Sequence, residues 1–492
     1  MAQDLSHLPS ALYLTSQVRQ AELDWAQQHQ QPLYALVERA GLAACDVLMP
    51  HLAAGARVLV VAGQGNNGAD ALICYFWLRQ RGINATLFIL PASKASDEWQ
   101  QAWQLLAQHD YSAVYALPDV SHFDVIVDGL LGTGVSGELR PNCAEVVASI
   151  NGANAWVLSL DLPSGINADT GAMAGSAVIA DMTLCMGVMK QGLITGEARN
   201  CTGELVFAEL GLSEFLPASD VQRVGRDYLA KVLPARARNA HKGSNGRVTL
   251  IGGDVGMAGA ICLASEACLR SGAGLVAVVS RPEHQLLLNS HRAELMFCGC
   301  ELVDMEVYSR LGWANVLVLG PGLGKQDWGY NLFKAVALSE KPVVVDADAL
   351  NLLSEEPRHD NFWVLTPHPG EASRLLGCDI KTVEADRFAA VRQLQQRYGG
   401  VVLLKGAGTL IYDGQTLYVA PVGNPGLASG GCGDVLSGII GALMAQGLTH
   451  TQATVAGVII HGEAADKAAV DGERGMLASD LFPWIRRLVN TV

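Results

Sequence analysis

Apolar residues follow two patterns along this chain. Some form short continuous runs, which are typical of buried strands, and others recur with helical spacing over longer segments. Helical spacing predicts helices between residues 15 and 54, with Thr15 or Ser16 capping the first. Six strand-like runs follow at Arg57–Ala62, Thr86–Leu90, Asp124–Asp128, Trp156–Leu160, Met182–Gly187 and Glu204–Ala208, with a helix predicted over Ala71–Arg81. Strands that alternate with helices predict an α/β domain built on a parallel sheet.

The alternation of strand-like and helical segments stops over residues 211–245. This stretch contains a basic patch at Arg236, Arg238, His241 and Lys242. We therefore predict a domain boundary near residue 222, giving domains 1–222 and 223–492. A second α/β series then begins, with a helix over Met257–Ser271 and strands at Arg247–Gly253, Leu275–Val279, Val316–Leu319, Val343–Val345, Trp363–Leu365 and Val401–Leu404.

The most distinctive segment is the glycine-rich stretch Asn424–Asp434, which leads into apolar pairs at 435/436, 439/440 and 443/444. This spacing predicts a helix that Asp434 starts, with Gly447 just past its end. Backbone N–H groups of a glycine loop at a helix N-terminus form a natural anion site. Asp434 could be only a helix cap, or a base beside that anion site.

Length, charge and cysteine content narrow the class of protein. A chain of 492 residues exceeds one ordinary core, and a formal net charge of −14 argues against binding to nucleic acid or an anionic membrane. No apolar run approaches the roughly 18 residues of a membrane span, and residues 1–7 show no signal-peptide pattern. Eleven scattered cysteines favour reduced, buried thiols in a cytoplasmic protein over disulfides or a zinc site.

Three predicted strand ends in the first half carry Asn or Asp together with glycine. The first, from Gly63 to Asp70, has the G-x-G-x-x-G spacing of a dinucleotide fingerprint, but the next strand ends in Pro91-Ala92-Ser93 without the required acid. We therefore reject ordinary hydride transfer. Asn66, Asn67 and Asp70 could bind hydroxyls, amides or a weakly hydrated cation, or could simply form a turn.

The other two strand ends are Asp128–Gly137 and Asp161–Gly165. Because parallel strands share one carboxyl edge, the three loops predict a single binding crevice. Lys190, just past a later strand, could reach a phosphate or could be a solvated loop lysine.

Strand ends of the second half carry Gly320–Gly324, Asp346–Asp348, Thr366–Glu371 and Lys405–Thr409. His368 lies between two prolines, in a turn that cannot be helical and that favours ligand contact over a merely satisfied histidine. Lys405 could reach a phosphate or could snorkel from its strand end. No G-x-x-x-x-G-K-[ST] motif occurs, so the glycine loop before Asp434 must provide the anion site.

These motifs together resemble two families that act on hydrated nicotinamide dinucleotides. Gly65–Asp70, Asp128–Gly134 and Asp161–Gly165 resemble the NAD(P)H-hydrate epimerase domain, and His241-Lys242-Gly243, Gly320–Gly322, Thr366–Glu371, Lys405-Gly406 and Asn424–Asp434 resemble the ribokinase-like dehydratase. Their order is that of the bacterial fused bifunctional enzymes. The resemblance implies an N-terminal Rossmann-like three-layer domain and a C-terminal ribokinase-like α/β domain.

For the first domain, the resemblance implies reversible opening of the hydrated ring, assisted by Asp161. A potassium ion is expected on Asn67, Asp128 and Ser164, whose oxygens suit a hard cation. The dinucleotides NADHX and NADPHX are expected to contact Asn66, Asn67, Gly68, Ala69, Asp70, Gly132, Thr133, Gly134, Val135, Ser136, Gly137, Glu138 and Asp161.

For the second domain, the resemblance implies dehydration of the S epimer at the expense of ADP, bound with magnesium, giving AMP and phosphate. Asp434 would deprotonate the substrate hydroxyl while the Gly430–Gly433 amides stabilise the developing charge. Dinucleotide contacts are expected at Ala258, Gly322, His368 and Asp434, and nucleotide contacts at Lys405, Gly406, Ala407, Gly408, Thr409 and Gly433.

The sequence departs from the family pattern at Ala69, where glycine is common, and at Ser429 and Cys432, where threonines are common. If residue 69 requires a positive φ, Ala69 costs roughly 1 kcal/mol. The alternative function is a ribokinase-like small-molecule kinase fused to a dinucleotide-sensing module. Domains of both families commonly self-associate, so a homo-oligomer is expected.

Overall fold

The computed structural model describes residues 5–135, 137–233 and 235–490. Two compact units divide the chain, one comprising His7–Val221 and the other residues 222–490 with Leu5 and Ser6. Each unit contains a largely parallel sheet with helices, so the predicted two-domain α/β class is confirmed. Among the helices in these ranges, none combines the length and hydropathy that crossing a bilayer would require.

The N-terminal unit is built on six parallel strands in the order β3-β2-β4-β5-β6-β7. Alternate residues of β2 enter different cores, Val58 and Val60 packing beneath α2 to α4 and Leu59 and Val61 beneath α5. The sheet is therefore the middle of three layers. Its elements are β1 Ala11–Leu12, α1 Thr15–His29, α2 Tyr34–Leu48, β2 Arg57–Ala62, α3 Asn66–Gln80, β3 Asn84–Ile89, α4 Asp97–Gln108, β4 Val125–Gly129, α5 Pro141–Gly152, β5 Trp156–Leu160, β6 Met182–Met186 and β7 Glu204–Ala208.

The C-terminal unit orders its strands β17-β16-β15-β14-β13-β12-β9-β10-β11, in which β16 runs antiparallel to both of its neighbours and the other strands share one direction. Helices α7, α15 and α16 cover one face, while Trp363 packs edge to face on Phe333 of α10 at the other. The elements are β8 Val221–Arg223, α6 Asp227–Val232, β9 Arg247–Ile251, α7 Ala258–Arg270, β10 Leu275–Ser280, α8 Gln285–His291, β11 Met296–Gly299, α9 Met305–Trp313, β12 Val316–Leu319, α10 Asp327–Ala337, β13 Val343–Val345, α11 Asp348–Glu355, β14 Trp363–Leu365, α12 Pro369–Leu376, α13 Ile380–Ala385, α14 Arg387–Tyr398, β15 Val401–Leu404, β16 Thr409–Tyr412, β17 Leu417–Ala420, α15 Cys432–Ala445, α16 His450–Ala468 and α17 Phe482–Leu488.

Two helices begin earlier than their apolar spacing predicts. Helix α3 starts at Asn66 instead of Ala71, and α15 starts at Cys432, two residues before Asp434. In both cases polar and glycine residues form the first turn, where no apolar periodicity marks the helix. Ala69 consequently has a helical backbone and carries none of the positive-φ strain considered above.

Other local expectations are also corrected. Leu14 caps α1, and the N–H of Thr15 donates to Asp169 Oδ1 at 2.7 Å, a partner 154 residues away. The short strands β11, β16 and β17 carry too few residues for a clear period and were not predicted. Gly447 does follow the last helical residues of α15 with φ +97°, as predicted.

Close packing of α15 on α7 depends on Gly438, because a Cβ there would lie 2.1 Å from the carbonyl oxygen of Ala264. We expect Gly438→Ala to lower the free energy of unfolding by about 1–3 kcal/mol through overpacking. Gly312→Ala in α9 is the matched control, since no atom lies within 4 Å of its added Cβ. Calorimetric melting of the two variants tests this, and equal melting temperatures would contradict it.

Candidate functional site

A cleft of about 1300 Å³ lies at the carboxyl ends of β2, β4 and β5 in the N-terminal unit. It brings together most of the predicted dinucleotide contacts, namely Asn66, Asn67, Gly68, Asp70, Gly132, Thr133, Gly134, Val135, Gly137, Glu138 and Asp161. Ala69 instead packs in the core beneath the cleft, fully buried, and Ser136 lies outside the described residues. The three strand-end loops thus form one crevice.

At the floor of this cleft, the backbones of neighbouring segments contact one another directly. A Cβ on Gly63 would lie 2.0 Å from the carbonyl oxygen of Leu130, and one on Gly68 would lie 2.1 Å from that of Gly63. Only glycine allows this approach of the α3 N-terminus to the strand ends. The glycines therefore serve packing as much as ligand binding.

Asp128, at the end of β4, is fully buried and accepts four hydrogen bonds. The donors are Ser164 Oγ at 2.6 Å, Ser164 N at 2.9 Å, Ser159 Oγ at 2.8 Å and Leu130 N at 3.2 Å. Burial raises the pKa of Asp128, and these hydrogen bonds oppose that rise. One carboxylate thereby ties together the loops after β4 and β5.

Asn67 lies beside this network and is also buried. Its Nδ2 donates to the carbonyl oxygen of Leu131 at 2.7 Å, which fixes the direction of the amide. Its buried Oδ1 finds no hydrogen-bond donor among the described residues. An unpartnered acceptor close to a buried carboxylate network is suited to a cation.

Lys190 is buried and lines the cleft, so the alternative prediction of a solvated loop lysine is corrected. Its side chain is 2% exposed, and its ammonium donates to Asp161 Oδ1 and to the carbonyl oxygen of Met186, the latter at 2.8 Å. Burial favours neutral lysine, but the charge of Asp161, its hydrogen bond and the neighbouring Cys185 and Glu22 together raise the pKa of Lys190. Lys190 therefore stays charged and holds the Asp161 carboxylate in place.

Two further carboxyl groups face this ion pair. Burial, reinforced by the charge of Asp161, raises the pKa of Asp70 well above its usual value. Burial also raises the pKa of Glu22, a residue of α1 that the sequence analysis did not assign to the site. Helical spacing gave no sign that Glu22 faces a cleft, because it depends on how α1 packs.

In the C-terminal unit, Asp346 at the end of β13 organises a second polar cluster. Its fully buried carboxylate accepts from Lys405 Nζ at 2.8 Å, Thr366 Oγ1 at 2.8 Å and Ser437 Oγ at 2.7 Å. Burial opposes ionisation, but Lys405 and the hydroxyls lower the pKa of Asp346 overall. Lys405 therefore does not snorkel; its ammonium is directed into the site.

The predicted anion loop adjoins this pair. Gly431 caps α15 in the left-handed conformation, with φ +92°, and a Cβ on Gly433 would lie 3.3 Å from Lys405 Nζ. Asp434 is the third residue of the helix and makes no capping hydrogen bond, so the capping interpretation is wrong. Cys432 is buried, with its Sγ 3.3 Å from Ser429 Oγ.

Asp434 and Glu371 both carry carboxyl groups with unusual affinity for protons. Burial, followed by the charge of Asp346, raises the pKa of Asp434 to about 7. Burial likewise raises the pKa of Glu371 to about 7, although Lys405 opposes it. A carboxylate with a pKa near neutrality is suited to general acid and base chemistry.

The remaining predicted residues occupy neighbouring loops. His368 caps α12, its Nδ1 accepting from Gly370 N at 3.0 Å, while half of its side chain stays exposed. Gly322 lies against the start of α7, where a Cβ would be 2.8 Å from Met257 Cβ, immediately before Ala258. Lys405–Thr409 form a turn in which Gly406 has φ +140° and Thr409 Oγ1 donates to its carbonyl oxygen at 3.1 Å.

The eleven cysteines are all free; ten are buried and Cys378 is partly buried. This agrees with the expectation of unpaired, mostly buried thiols. Burial raises the pKa of Cys432, and Ser429 partly offsets the rise, so the thiol in the anion loop stays protonated near neutral pH.

Each unit of the chain matches a known protein family. Residues 248–487 match the NAD(P)H-hydrate dehydratase family, and residues 33–192 match the YjeF-related protein N-terminus family. The bifunctional NAD(P)H-hydrate repair enzyme Nnr of Coxiella burnetii is 45% identical over 98% of this chain and all of its own length. The Nnr enzyme of Escherichia coli is 42% identical over 98% of this chain and 95% of its own length.

A solved structure resembles the C-terminal part of the chain. It is a ribokinase-like superfamily protein of Enterococcus faecalis, with 29% identity and a TM-score of 0.52, and the match covers 56% of this chain and 97% of that protein. This agrees with the predicted ribokinase-like fold. Since the relatives match along nearly the whole sequence, the chain belongs to the family of bifunctional NAD(P)H-hydrate repair enzymes.

Proposed function

We propose that the N-terminal unit interconverts the R and S epimers of hydrated NADH and NADPH, and that the C-terminal unit dehydrates the S epimer with ADP, giving AMP and phosphate. Membership of the repair-enzyme family supports both activities. The observation that carries the proposal is Asp434, a carboxyl group with a pKa of about 7 on the first turn of α15, beside Lys405 and the glycine loop.

Dehydration by this route needs a base and an anion site in contact with the same substrate. Asp434 accepts the proton of the C6 hydroxyl, whose oxygen then bonds to the terminal phosphorus of ADP as the bond to AMP breaks. The Gly430–Gly433 amides and the α15 N-terminus stabilise the negative charge on the transferred group. Phosphate then leaves C6 and a proton is lost from C5 to solvent, which restores the C5–C6 double bond of the reduced nicotinamide.

The surrounding residues divide between two ligands. Gly322 lies against Met257 and Ala260, which flank Ala258 at the start of α7. Gly322 and Ala258, together with His368 and Asp434, form the proposed dinucleotide contacts. Lys405 to Thr409 and Gly433 adjoin the anion loop and form the proposed ADP contacts. Magnesium would accompany ADP and would reduce the negative charge of its phosphates, which a chain of net charge −14 would otherwise repel.

In the epimerase cleft, Asp161 is the proposed group that moves a proton at the hydrated ring. Its carboxylate is held by Lys190 and by the N–H of Met186 at 3.2 Å, and its backbone has φ +66°. Such a strained conformation persists where neighbouring contacts fix it, as is common at functional sites. Asn66 to Asp70 and Gly132 to Glu138 would hold the dinucleotide on either side.

The residues predicted to bind potassium fit a hard monovalent cation. Asn67 supplies an unpartnered buried oxygen, and Asp128 supplies a buried negative charge whose neighbours are hydroxyls and backbone amides. Ser164 Oγ joins the two loops at 2.6 Å from Asp128. When bound, the cation would neutralise Asp128 and attract anionic parts of the substrate. The buried free thiols further support a reducing compartment such as the cytoplasm.

We expect Asp434→Asn to abolish ADP-dependent recovery of reduced-nicotinamide absorbance from hydrated NADH, because the amide accepts no proton. The same variant should still interconvert the epimers, as chromatography of the two forms will show, since Asp161 lies in the other unit. Unchanged dehydration in the variant, or wild-type protein that leaves both ADP and hydrated NADH intact, refutes the dehydratase assignment.

The dehydration rate should depend on pH through Asp434. At low substrate concentration it should rise about tenfold per pH unit up to about pH 7 and level off above, as the carboxyl group ionises. Because the charge of Glu371 helps to raise this pKa, Glu371→Gln should move the midpoint to lower pH. Disappearance of the acidic limb in Glu371→Gln would identify Glu371, and not Asp434, as the titrating base.

Epimerisation should require potassium, and Asn67→Leu should remove that requirement together with most of the rate. Epimer exchange measured in potassium against tetramethylammonium salts tests this, with Asn154→Ala as the control. Asn154 is an exposed residue of the same unit that does not line the cleft. Thermal stabilisation by potassium in the wild type but not in Asn67→Leu gives a readout independent of activity. Equal melting in both salts counts against the site.

A further inference from the structure

The arginines of the basic patch that precedes β9 have no assigned role in either proposed reaction. Arg236, Arg238 and His241 line a cavity of about 1120 Å³ in the C-terminal unit. A second cavity of about 990 Å³ shares Arg270, Arg292, Arg486 and Asn490 with it. The two cavities together are called the basic cleft below.

The larger cavity of the basic cleft lies away from the proposed catalytic chemistry. Residues 244, 245, 271 and 272 line it and immediately precede β9 and β10, so it occurs at the amino ends of these strands. Asp346, Lys405 and the glycine loop lie beyond the carboxyl ends of the same parallel sheet. The larger cavity is thus a separate site at the opposite end of the strands, whereas Leu263 of the second cavity packs against the glycine loop, its Cδ1 lying 2.4 Å from a Cβ placed on Gly431.

Positive charge is concentrated here to a degree unusual for the chain as a whole. Six arginines line the basic cleft with only two glutamates, Glu266 and Glu294, although the protein carries a formal net charge of −14. The arginines are Arg236, Arg238, Arg270, Arg292, Arg486 and Arg487. Such a cluster attracts anions, and its guanidinium groups repel one another when no anion is bound.

A buried glutamate, Glu266, holds two of these arginines in place. Glu266 is 2% exposed; its Oε1 pairs with Arg270 Nε at 3.2 Å and with Arg292 Nη2. These contacts fix the two guanidinium groups at the junction of the cavities, with about a third of each side chain exposed. One carboxylate neutralises one charge, so a positive excess remains at the junction.

Helix ends explain only a fraction of the arginines. Arg236 donates to the carbonyl oxygen of Gly272 past the end of α7, and Arg486 and Arg487 lie in the last turn of α17. A helix C-terminus carries only about half a negative charge. Arg486 and Arg487 are exposed and make no ion pair among the described residues.

We propose that the basic cleft binds a polyphosphate chain, either free or as part of a nucleotide, at a site separate from the ADP site. Guanidinium groups present paired N–H donors that match phosphate oxygens. Arg270, Arg292 and Arg486, which line both cavities, hold the centre of the chain, with Arg236 and Arg238 at one end and Arg487 at the other. The two adjoining cavities give room for several linked phosphates.

Calorimetric titration of the full-length protein with inorganic tripolyphosphate tests the proposal. We expect binding at low ionic strength that weakens with added salt, and at least tenfold weaker binding in the double variant Arg486→Ala/Arg487→Ala. Lys381→Ala is the control, because Lys381 is an exposed cation of the same unit that lines neither cavity. Titration of the Lys405→Ala variant with ADP extends the test to nucleotides, because this variant lacks one of the proposed contacts of the catalytic ADP site.

Several results would overturn it. These are no binding by the wild type, equal binding by the double variant, equal loss in Lys381→Ala, or loss only in Lys405→Ala, which would place the anion in the catalytic site. Sedimentation supplies a further criterion: a dimer that dissociates in the double variant, with no tripolyphosphate bound, would assign the basic cleft to a second copy of the chain. Unchanged melting of the variants confirms that exposed arginines were removed without unfolding.

Discussion

Each unit of this enzyme depends on one carboxylate buried at the end of a central strand. Transfer of an ionised carboxylate out of water costs several kcal/mol, which only a full set of donors offsets. Asp128 takes its donors from the loops after β4 and β5, whereas Asp346 takes them from β14, the end of β15 and α15. The need to satisfy these two groups therefore fixes the relative positions of the loops that form each site.

A buried charge also sets the chemistry of its neighbours. Because Lys405 keeps Asp346 ionised, the nearby carboxyl groups of Asp434 and Glu371 experience a fixed negative charge and hold protons up to about pH 7. In the N-terminal unit, burial raises the pKa of both Asp70 and Glu22; the charge of Asp161 adds to the rise at Asp70, whereas Lys190 opposes the rise at Glu22. Structural ion pairs and reactive carboxyl groups are in this way parts of one electrostatic arrangement.

The sequence predicted the elements whose signal is local. Buried strand runs such as Arg57–Ala62 and Trp156–Leu160 coincide with β2 and β5, and the glycine loops after them do line the cleft. Contacts between distant residues were not predictable, because no spacing rule links Lys190 to Asp161 or Ser437 to Asp346. Helix starts were misplaced where glycine and polar residues form the first turn, since their conformation is decided by packing against strand ends.

The glycine floor of the N-terminal cleft constrains how such enzymes can diverge. At Gly63 and Gly68 any side chain would have to displace main chain, so substitutions there are excluded by steric necessity before ligand chemistry is tested. Rim residues such as Lys94 and Glu138 contact the cleft without that restriction. Substitutions that alter ligand contacts without displacing main chain are therefore open at the rim and closed at the two floor glycines.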